Sequence, residues 1–145
     1  MPSVPGSYDS SPEEMPDLVL VSLELAADKA GDITPEIYRR YFASCPGSQD
    51  LMSHIDDLVR GKMMEEVFRL IMVQNYDEES HYLNFEVKNH KYAYSVQPHM
   101  YTNLLNAVHV TVKESVAEAW SPGMEDAWQT RIGRLISELE QRSSL

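Results

Sequence analysis

Apolar residues recur at the three- and four-residue spacing of an α-helix along most of the 145-residue chain. The last helix shows this most clearly, because Trp128, Ile132, Leu135 and Leu139 fall on one face. The pattern predicts helices from 16 to about 30, from 34 to before Pro46, from 61 to about 75, from 80 through His90, from 98 to about 120, and from 121 onward. Residues 48–57 and 77–80 are predicted to be links between them.

Capping residues support these boundaries. Asp17 can serve the start of the first helix, and Gly31 its end. The pairs Thr34–Pro35 and Ser121–Pro122 each place a capping side chain directly before a proline, which is well tolerated in a first helical turn. We therefore expect Thr34 to cap the second helix and Ser121 the last.

The chain gives no convincing signal for a β-sheet, since no segment has a clear strand alternation and no hairpin turn pair is present. Residues 92–96 alone leave open a short strand or an extended connector. We predict an all-α protein of six or seven helices. Residues 1–15, rich in Pro, Ser and Gly, are predicted to be a flexible leader to one domain at 16–145.

Charge and composition narrow the class of protein. The net charge of -11 argues against binding nucleic acid, which requires clustered Lys and Arg. We expect no membrane span and no secretory signal, because no apolar run is long enough and no basic region precedes one at the start. The single cysteine, Cys45, cannot form an intrachain disulfide. We expect a cytoplasmic monomer or homodimer.

The candidate chemistry lies at His90, which follows an apolar run and precedes the helix that Pro98 opens. This places His90 near the end of a helix. A histidine there that points inward can bind a metal or a haem iron. A partly exposed histidine would instead interact with the negative end of the helix dipole. The residue pattern alone leaves both interpretations open.

Three segments, in order along the chain, carry a resemblance to a known family. They are residues 37–46 with the following Leu51–Met52, residues 89–90 leading to 98–105, and residues 121–128 with an Ala-Trp pair. They resemble the aromatic-rich second helix and its corner, the proximal-histidine helix with the helix after it, and the start of the last helix of globins. The resemblance covers roughly 16–140 and is to bacterial single-domain globins related to the globin domains of flavohaemoglobins.

The resemblance implies a globin-like fold whose helices surround a pocket for haem b. His90 would then be the axial ligand of the iron, as a neutral imidazole whose far nitrogen is held by Ser95 or by a backbone carbonyl. Tyr101, on the next helix, is expected to contact the same cofactor. His99 is the rival axial ligand if the alignment shifts by a short distance.

On the distal face the resemblance places Tyr38, whose phenol can donate a hydrogen bond to bound dioxygen. The alternative is a helix tyrosine that buries its ring and keeps its hydroxyl hydrated. Met63 or Met64 takes the position where a distal histidine or glutamine is common. Val67 lies one helical turn further on, and these side chains would form an apolar pocket wall. The alternative is that the methionine itself ligates the iron.

Two positions depart from the family pattern. Met52 stands where most globins have the corner phenylalanine that wedges the haem. Ile132 replaces a tyrosine in the last helix of flavohaemoglobin domains, which argues against strong oxygen activation. His54, in the corner, has the reach to approach the distal side.

Two functions of different classes follow from these residues. The favoured function is a haem protein that reversibly binds dioxygen or another diatomic gas, for storage, transport, sensing or nitric oxide scavenging. The last of these is an enzymatic activity of the nitric oxide dioxygenase type and would require an external reductase. The alternative, motivated by the missing corner phenylalanine, is a haem-free globin-like module for signalling or protein interaction.

Overall fold

The computed structural model of the chain describes residues 16–94 and 98–143. Seven α-helices lie within these ranges: α1 (Leu18–Ala30), α2 (Thr34–Ser44), α3 (Ser48–Leu51), α4 (Asp57–Met72), α5 (Ser80–Tyr94), α6 (Pro98–Val116) and α7 (Pro122–Ser143). Two 3₁₀ turns, Tyr76–Glu79 and Ala117–Ala119, precede α5 and follow α6. Every regular element in the described ranges is helical, which confirms the predicted all-α class. The predicted leader, residues 1–15, lies outside them.

The last two long helices form the centre of the packing. α1 and α2 pack on α6, α4 and α5 pack on α7, and α6 and α7 pack on each other. Val108, Val112 and Val116 of α6 are completely buried, as is Trp128 of α7, and Leu135 is almost so. Burying each such side chain contributes about 1.5–3 kcal/mol. This pair of helices is therefore the support on which the other helices are held.

The predicted ends of α1 and the predicted start of α7 are confirmed. Asp17 Oδ1 accepts a hydrogen bond from the backbone N–H of Val19 at 3.0 Å. Gly31 follows the last residue of α1 with φ +71°, a conformation that favours glycine. Ser121 Oγ accepts from the backbone N–H of Met124 at 3.1 Å, as expected of a helix cap.

The predicted cap at Thr34 is wrong. Thr34 is already the first residue of α2, and the capping position falls on Ile33, whose side chain has no acceptor. The side chain that bonds to the start of α2 is that of Asp32, whose Oδ1 accepts from the backbone N–H of Thr34 at 3.0 Å. A carboxylate that bonds the N–H two residues ahead competes with the usual cap. Pro35 does lie in the first turn.

Other boundaries also differ from the prediction. α4 begins four residues early, because Asp56 Oδ1 caps it by accepting from the backbone N–H of Val59 at 2.9 Å. The predicted link at 48–57 contains the short α3. Residues 92–94 belong to α5, so neither a strand nor an extended connector occurs there, while residues 95–97 lie outside the described ranges.

In the part of the chain that the structure describes, α4 and α5 make few contacts with each other. Within the described ranges both helices pack on α7 but do not pack closely on each other. The Cζ atom of Arg69, on α4, lies 5.3 Å from the ring centroid of Tyr82, on α5. We call the space between these helices the α4–α5 cleft. None of the helices described has the length and apolar character needed to cross a membrane.

Candidate functional site

His90 lies on α5, one turn before the helix ends, and its ring contacts α6. Its Nδ1 is 3.3 Å from the hydroxyl oxygen of Tyr101, and the two ring centroids are 6.3 Å apart. The side chain of His90 is 31% exposed. The imidazole is thus a half-buried bridge between α5 and α6, near the helix end where the sequence pattern placed it.

The surroundings of His90 favour the neutral imidazole. Burial lowers its pKa, and the carboxylate of Glu86, one turn earlier on α5, opposes that shift. Oε2 of Glu86 is 3.9 Å from Nε2 of His90. The net direction is downward from 6.5, so the ring is uncharged at neutral pH. Histidine binds metals in this form.

Tyr101 can fix which nitrogen of His90 carries the proton. Burial raises the pKa of Tyr101 to about 12, and the charge of Glu86 acts in the same direction, so the phenol stays protonated. Its oxygen can accept a hydrogen bond from a protonated Nδ1, which leaves the lone pair on Nε2. Tyr101 thus lies beside Nδ1 of His90, where the sequence led us to expect Ser95 or a backbone carbonyl; Ser95 is outside the described residues.

Tyr38 is buried on α2, and its hydroxyl bonds to the backbone of α4. Its Oη donates to the carbonyl oxygen of Arg60 at 3.0 Å. Burial raises the pKa of Tyr38 to about 12 against the opposing charge of Arg60, so the phenol remains a donor at any physiological pH. The partner is thus a protein carbonyl, where the two interpretations of the sequence expected dioxygen or water.

Arg60, on α4, lies over the rings of Tyr38 and Phe42, on α2. Its Cζ lies 5.2 Å from the ring centroid of Phe42 and 6.0 Å from that of Tyr38. Its Nη2 donates to the carbonyl oxygen of Met52 at 2.7 Å. Its Nε is buried and has no hydrogen-bond partner among the described residues. This places a positive charge beside Tyr38.

Arg60 is not among the residues predicted from the sequence, although one signal in the sequence points to it. Arg60 lies one turn before Met64 on the same face of α4, and Met64 is fully buried. A charged residue in register with a buried apolar position is unusual in a helix that packs by one face.

The structure separates the two methionines that the sequence left as alternatives. Met64 is fully buried and belongs to the core. Met63 and Val67, four residues apart, are both half-buried and share the more open face of α4. Met52 is also half-buried and, like Val67, packs at the edge of the core.

The remaining histidines divide into two groups. His54, His81 and His99 are exposed, and His99 lies in the first turn of α6. His109 instead stacks on Trp128 with ring centroids 5.6 Å apart and planes inclined by 5°. Its Nε2 lies 3.3 Å from Oε1 of Glu125. No partner for His109 was predicted, because these residues are brought together only by the packing of α6 on α7.

Two open grooves lie elsewhere on the surface. An apolar groove of about 310 Å³ runs between α1, the α1–α2 corner and Phe68 of α4. A second, of about 300 Å³, lies between α2 and α6 beside Arg40 and Asn106. Neither is lined by His90 or Tyr38. The candidate site is therefore defined by the contacts of His90 and Tyr38 and not by either groove.

Comparison with known proteins identifies the family of the chain. The globin family model matches residues 35–139, which is well over half of the chain. The chain belongs to the globin family, and the resemblance to globins drawn from its sequence is confirmed. A search among curated proteins finds no match.

The fold is also similar to that of a solved structure. It is the crystal structure of a Pseudomonas aeruginosa protein described as structurally highly homologous to a human hemoglobin. The two chains are 22% identical with a TM-score of 0.65, over 88% of this chain and 96% of the other. At this identity the similarity establishes the globin fold and nothing more specific.

Proposed function

We propose that this chain is a haem protein that reversibly binds dioxygen or another diatomic gas, with His90 as the axial ligand of the iron. One observation carries the proposal. In a chain of the globin family, His90 is half-buried, its pKa is lowered, and its Nδ1 lies 3.3 Å from the Tyr101 hydroxyl. A hydrogen bond to the far nitrogen is the usual support of a metal-binding histidine.

The residues around the α4–α5 cleft fit haem b. Met63 and Val67 give α4 a half-buried apolar wall, and His90 on α5 supplies a nitrogen donor. Ligand sites commonly combine an apolar lining with a few placed polar groups. Glu86 is the group least suited to an apolar macrocycle, but its side chain is 31% exposed and has access to solvent. Both helices pack on α7, which gives the two sides of the proposed site a common support.

Haem iron, when bound, supplies the coordination position at which a diatomic gas binds. The chain supplies the rest. Tyr101 holds the His90 ring through Nδ1 and keeps Nε2 as the donor atom. Tyr38 contributes a protonated phenol on the distal side, and Arg60 adds a positive charge beside it. Both would favour a ligand that carries partial negative charge.

The second candidate function is a haem-free module for protein interaction or signalling. The distal hydrogen bond favours it, because the hydroxyl of Tyr38 is already satisfied by the carbonyl of Arg60 without any ligand. Met52 at the corner also favours the haem-free module, because it replaces the phenylalanine that wedges the haem in most globins. The identity of the gas, nitric oxide scavenging with an external reductase, the cytoplasmic location and the oligomeric state stay predictions.

The proposal is tested by titrating the purified protein with haemin and recording absorption spectra in the ferric, ferrous and carbon monoxide-bound forms. We expect the wild type to bind haemin with an intense band at the blue edge of the visible, and His90→Ala to lose this band or bind haemin far more weakly. The matched control is His99→Ala, which removes an exposed histidine from the next helix and should leave the spectrum unchanged.

Three outcomes would contradict the proposal in part or in full. A wild-type protein that is folded by circular dichroism but takes up no haemin would support the haem-free module. Loss of the band in His99→Ala but not in His90→Ala would move the axial ligand to His99. Equal spectra for all three proteins would exclude both histidines as ligands.

A further inference from the structure

We propose that three arginines of α7, namely Arg131, Arg134 and Arg142, are positioning residues that fix the width of the α4–α5 cleft and thereby the location of His90. We call them the α7 arginine clamp. The effect of these arginines on haem binding through His90 rests on the proposed function. The clamp itself consists of contacts within the chain and is tested without cofactor.

Two of the arginines hold the end of α4. Nη1 of Arg131 donates to the carbonyl oxygen of Ile71 at 2.9 Å, and Nη2 of Arg134 donates to that of Val73 at 2.8 Å. The last carbonyls of a helix have no partner within the helix and carry its negative dipole end. Guanidinium groups from α7 therefore satisfy both the hydrogen bonding and the charge at the end of α4.

Arg131 also fixes α1 to the same point. Its Nη2 donates to Oδ2 of Asp17 at 3.0 Å, while Oδ1 of that carboxylate caps α1. The side chain of Arg131 is 14% exposed. An ion pair this well shielded is screened less by solvent than a surface pair. The end of α4 is thus held at a position that α1 and α7 define together.

The third arginine holds the start of α5. Nη1 of Arg142 lies 3.0 Å from Oγ of Ser80 and 3.0 Å from Oδ1 of Asn84, and Nη2 donates to Oε1 of Glu138 at 2.9 Å. A cation at a helix N-terminus is disfavoured by the dipole. The stabilisation here must come from the directed bonds of the planar guanidinium fork. The side chain is only 10% exposed, so these bonds are largely shielded from water.

The two attachments are separated by a rigid element. Arg134 and Arg142 lie eight residues apart on one helix, a rise of about 12 Å. Between the attachments the chain passes through the 3₁₀ turn Tyr76–Glu79, and Arg134 Cζ lies 5.0 Å from the ring centroid of Tyr76. The Arg69–Tyr82 pair joins α4 and α5 directly, and α7 adds a second restraint on their separation by holding both helices.

The clamp acts on His90 through the length of α5. His90 lies ten residues beyond Ser80 on the same helix, a distance of about 15 Å along its axis. A tilt at the start of α5 therefore moves the imidazole and its contact with Tyr101. Loss of Arg142 leaves Ser80 and Asn84 without this partner and frees that end of the helix.

The first experiment measures amide hydrogen exchange in the cofactor-free protein for the wild type, Arg142→Met and Asn84→Ala. The control is Arg39→Met, an exposed arginine of α2 that pairs with Glu36 within its own helix. In Arg142→Met we expect exchange of amides in 81–90 to rise at least about tenfold with α1 and α2 unchanged, because a directed bond to a charged group is lost from a local opening equilibrium. Asn84→Ala, which removes one acceptor and keeps the arginine, should give a smaller rise in the same segment.

The second experiment uses the haem-loaded protein and records the iron–histidine stretching band of the ferrous form by resonance Raman spectroscopy. We expect Arg142→Met to shift or broaden this band and Arg142→Lys to restore it only in part, since lysine keeps the charge but not the fork. Arg39→Met should match the wild type.

Unchanged exchange of α5 in both Arg142→Met and Asn84→Ala would overturn the clamp, as would an equal rise in every helix. If exchange in α5 rises in Arg142→Met but the Raman band does not move, the clamp has no role at His90. A wild type that takes up no haemin would refute the proposed function while leaving the exchange experiment to decide on the clamp.

Discussion

Two opposing effects of unequal size act on the pKa of His90. Burial against α6 lowers its pKa, while the carboxylate of Glu86 at 3.9 Å raises it. Burial prevails because Glu86 is itself 31% exposed, and a charge with access to water interacts through a high effective dielectric. A neutral ring held by a protonated tyrosine follows from this balance.

Tyr38 exchanges one hydrogen bond for another if it serves a bound gas. Its hydroxyl must leave the carbonyl of Arg60, so its net contribution is a difference between two bonds. A bond to a charged acceptor is worth about 1.5–3 kcal/mol and one to a neutral acceptor about 0.5–1.5 kcal/mol. The expected net gain is therefore only about 1 kcal/mol.

We accordingly expect Tyr38→Phe to raise the dioxygen dissociation rate about fivefold, as measured by stopped-flow displacement with carbon monoxide. The same variant should lose about 1 kcal/mol of stability in urea, since the buried carbonyl contact is lost. Phe42→Leu, on the same helix, serves as the control for altered packing without a lost hydroxyl. An unaltered dissociation rate together with the stability loss would mean that the phenol serves the fold alone.

At the scale of elements, α6 and α7 are joined by a polar cluster in an otherwise apolar interface. Oε1 of Glu125 accepts from Nε1 of Trp120 at 3.1 Å, and His109 lies at 3.3 Å from the same oxygen. Burial raises the pKa of Glu125, but the hydrogen bond from Gln129 and the charge and hydrogen bond of His109 outweigh it. Together with Trp120 they lower this pKa to about 2.

The depressed pKa of Glu125 predicts how the α6–α7 interface depends on pH. A carboxylate with a lowered pKa in the folded state stabilises the fold above its ordinary value of 4.5, and this contribution is lost as the pH falls toward 2. We expect wild type to be more stable than Glu125→Gln at neutral pH and the two to converge in acid, as measured by urea unfolding. Glu65→Gln, an exposed change on α4, is the control. A constant difference across this pH range would contradict the assignment.

At the scale of the whole molecule, the net charge of -11 opposes the compact state by self-repulsion. Local pairs offset this at particular points. Arg40 contacts both Glu36 and Glu114 and so connects α2 to α6. Exposed pairs of this kind contribute little to stability, because water and salt screen them. We therefore expect the repulsion among the surplus acidic residues to outweigh these pairs.

We expect the urea midpoint of unfolding to rise when sodium chloride is increased from low to physiological ionic strength, because salt screens the repulsion of the surplus acidic residues. Urea is used because it does not change the ionic strength. A falling midpoint would mean that ion pairs such as Arg40–Glu36 contribute more to the fold than the repulsion costs.

Much of the fold could be predicted from local pattern. Helical spacing, Asp17, Gly31 and Ser121 marked element ends correctly, because a cap acts over two or three residues of chain. The prediction for Thr34 failed for an equally local reason, since the helix begins at Thr34 itself and Asp32 Oδ1 accepts from its N–H. Order and spacing of three segments were enough to identify the globin family.

The sequence by itself determined the helices, the family and the position of His90 near a helix end, because all of these depend on neighbours along the chain. Only the tertiary structure decided that Tyr101 faces Nδ1 of His90, that the carbonyl of Arg60 takes the hydroxyl of Tyr38, and that α7 reaches both walls of the cleft. These partners are separated by 11 to 60 residues. Helix packing selects them, and packing depends on side chains from the whole chain at once.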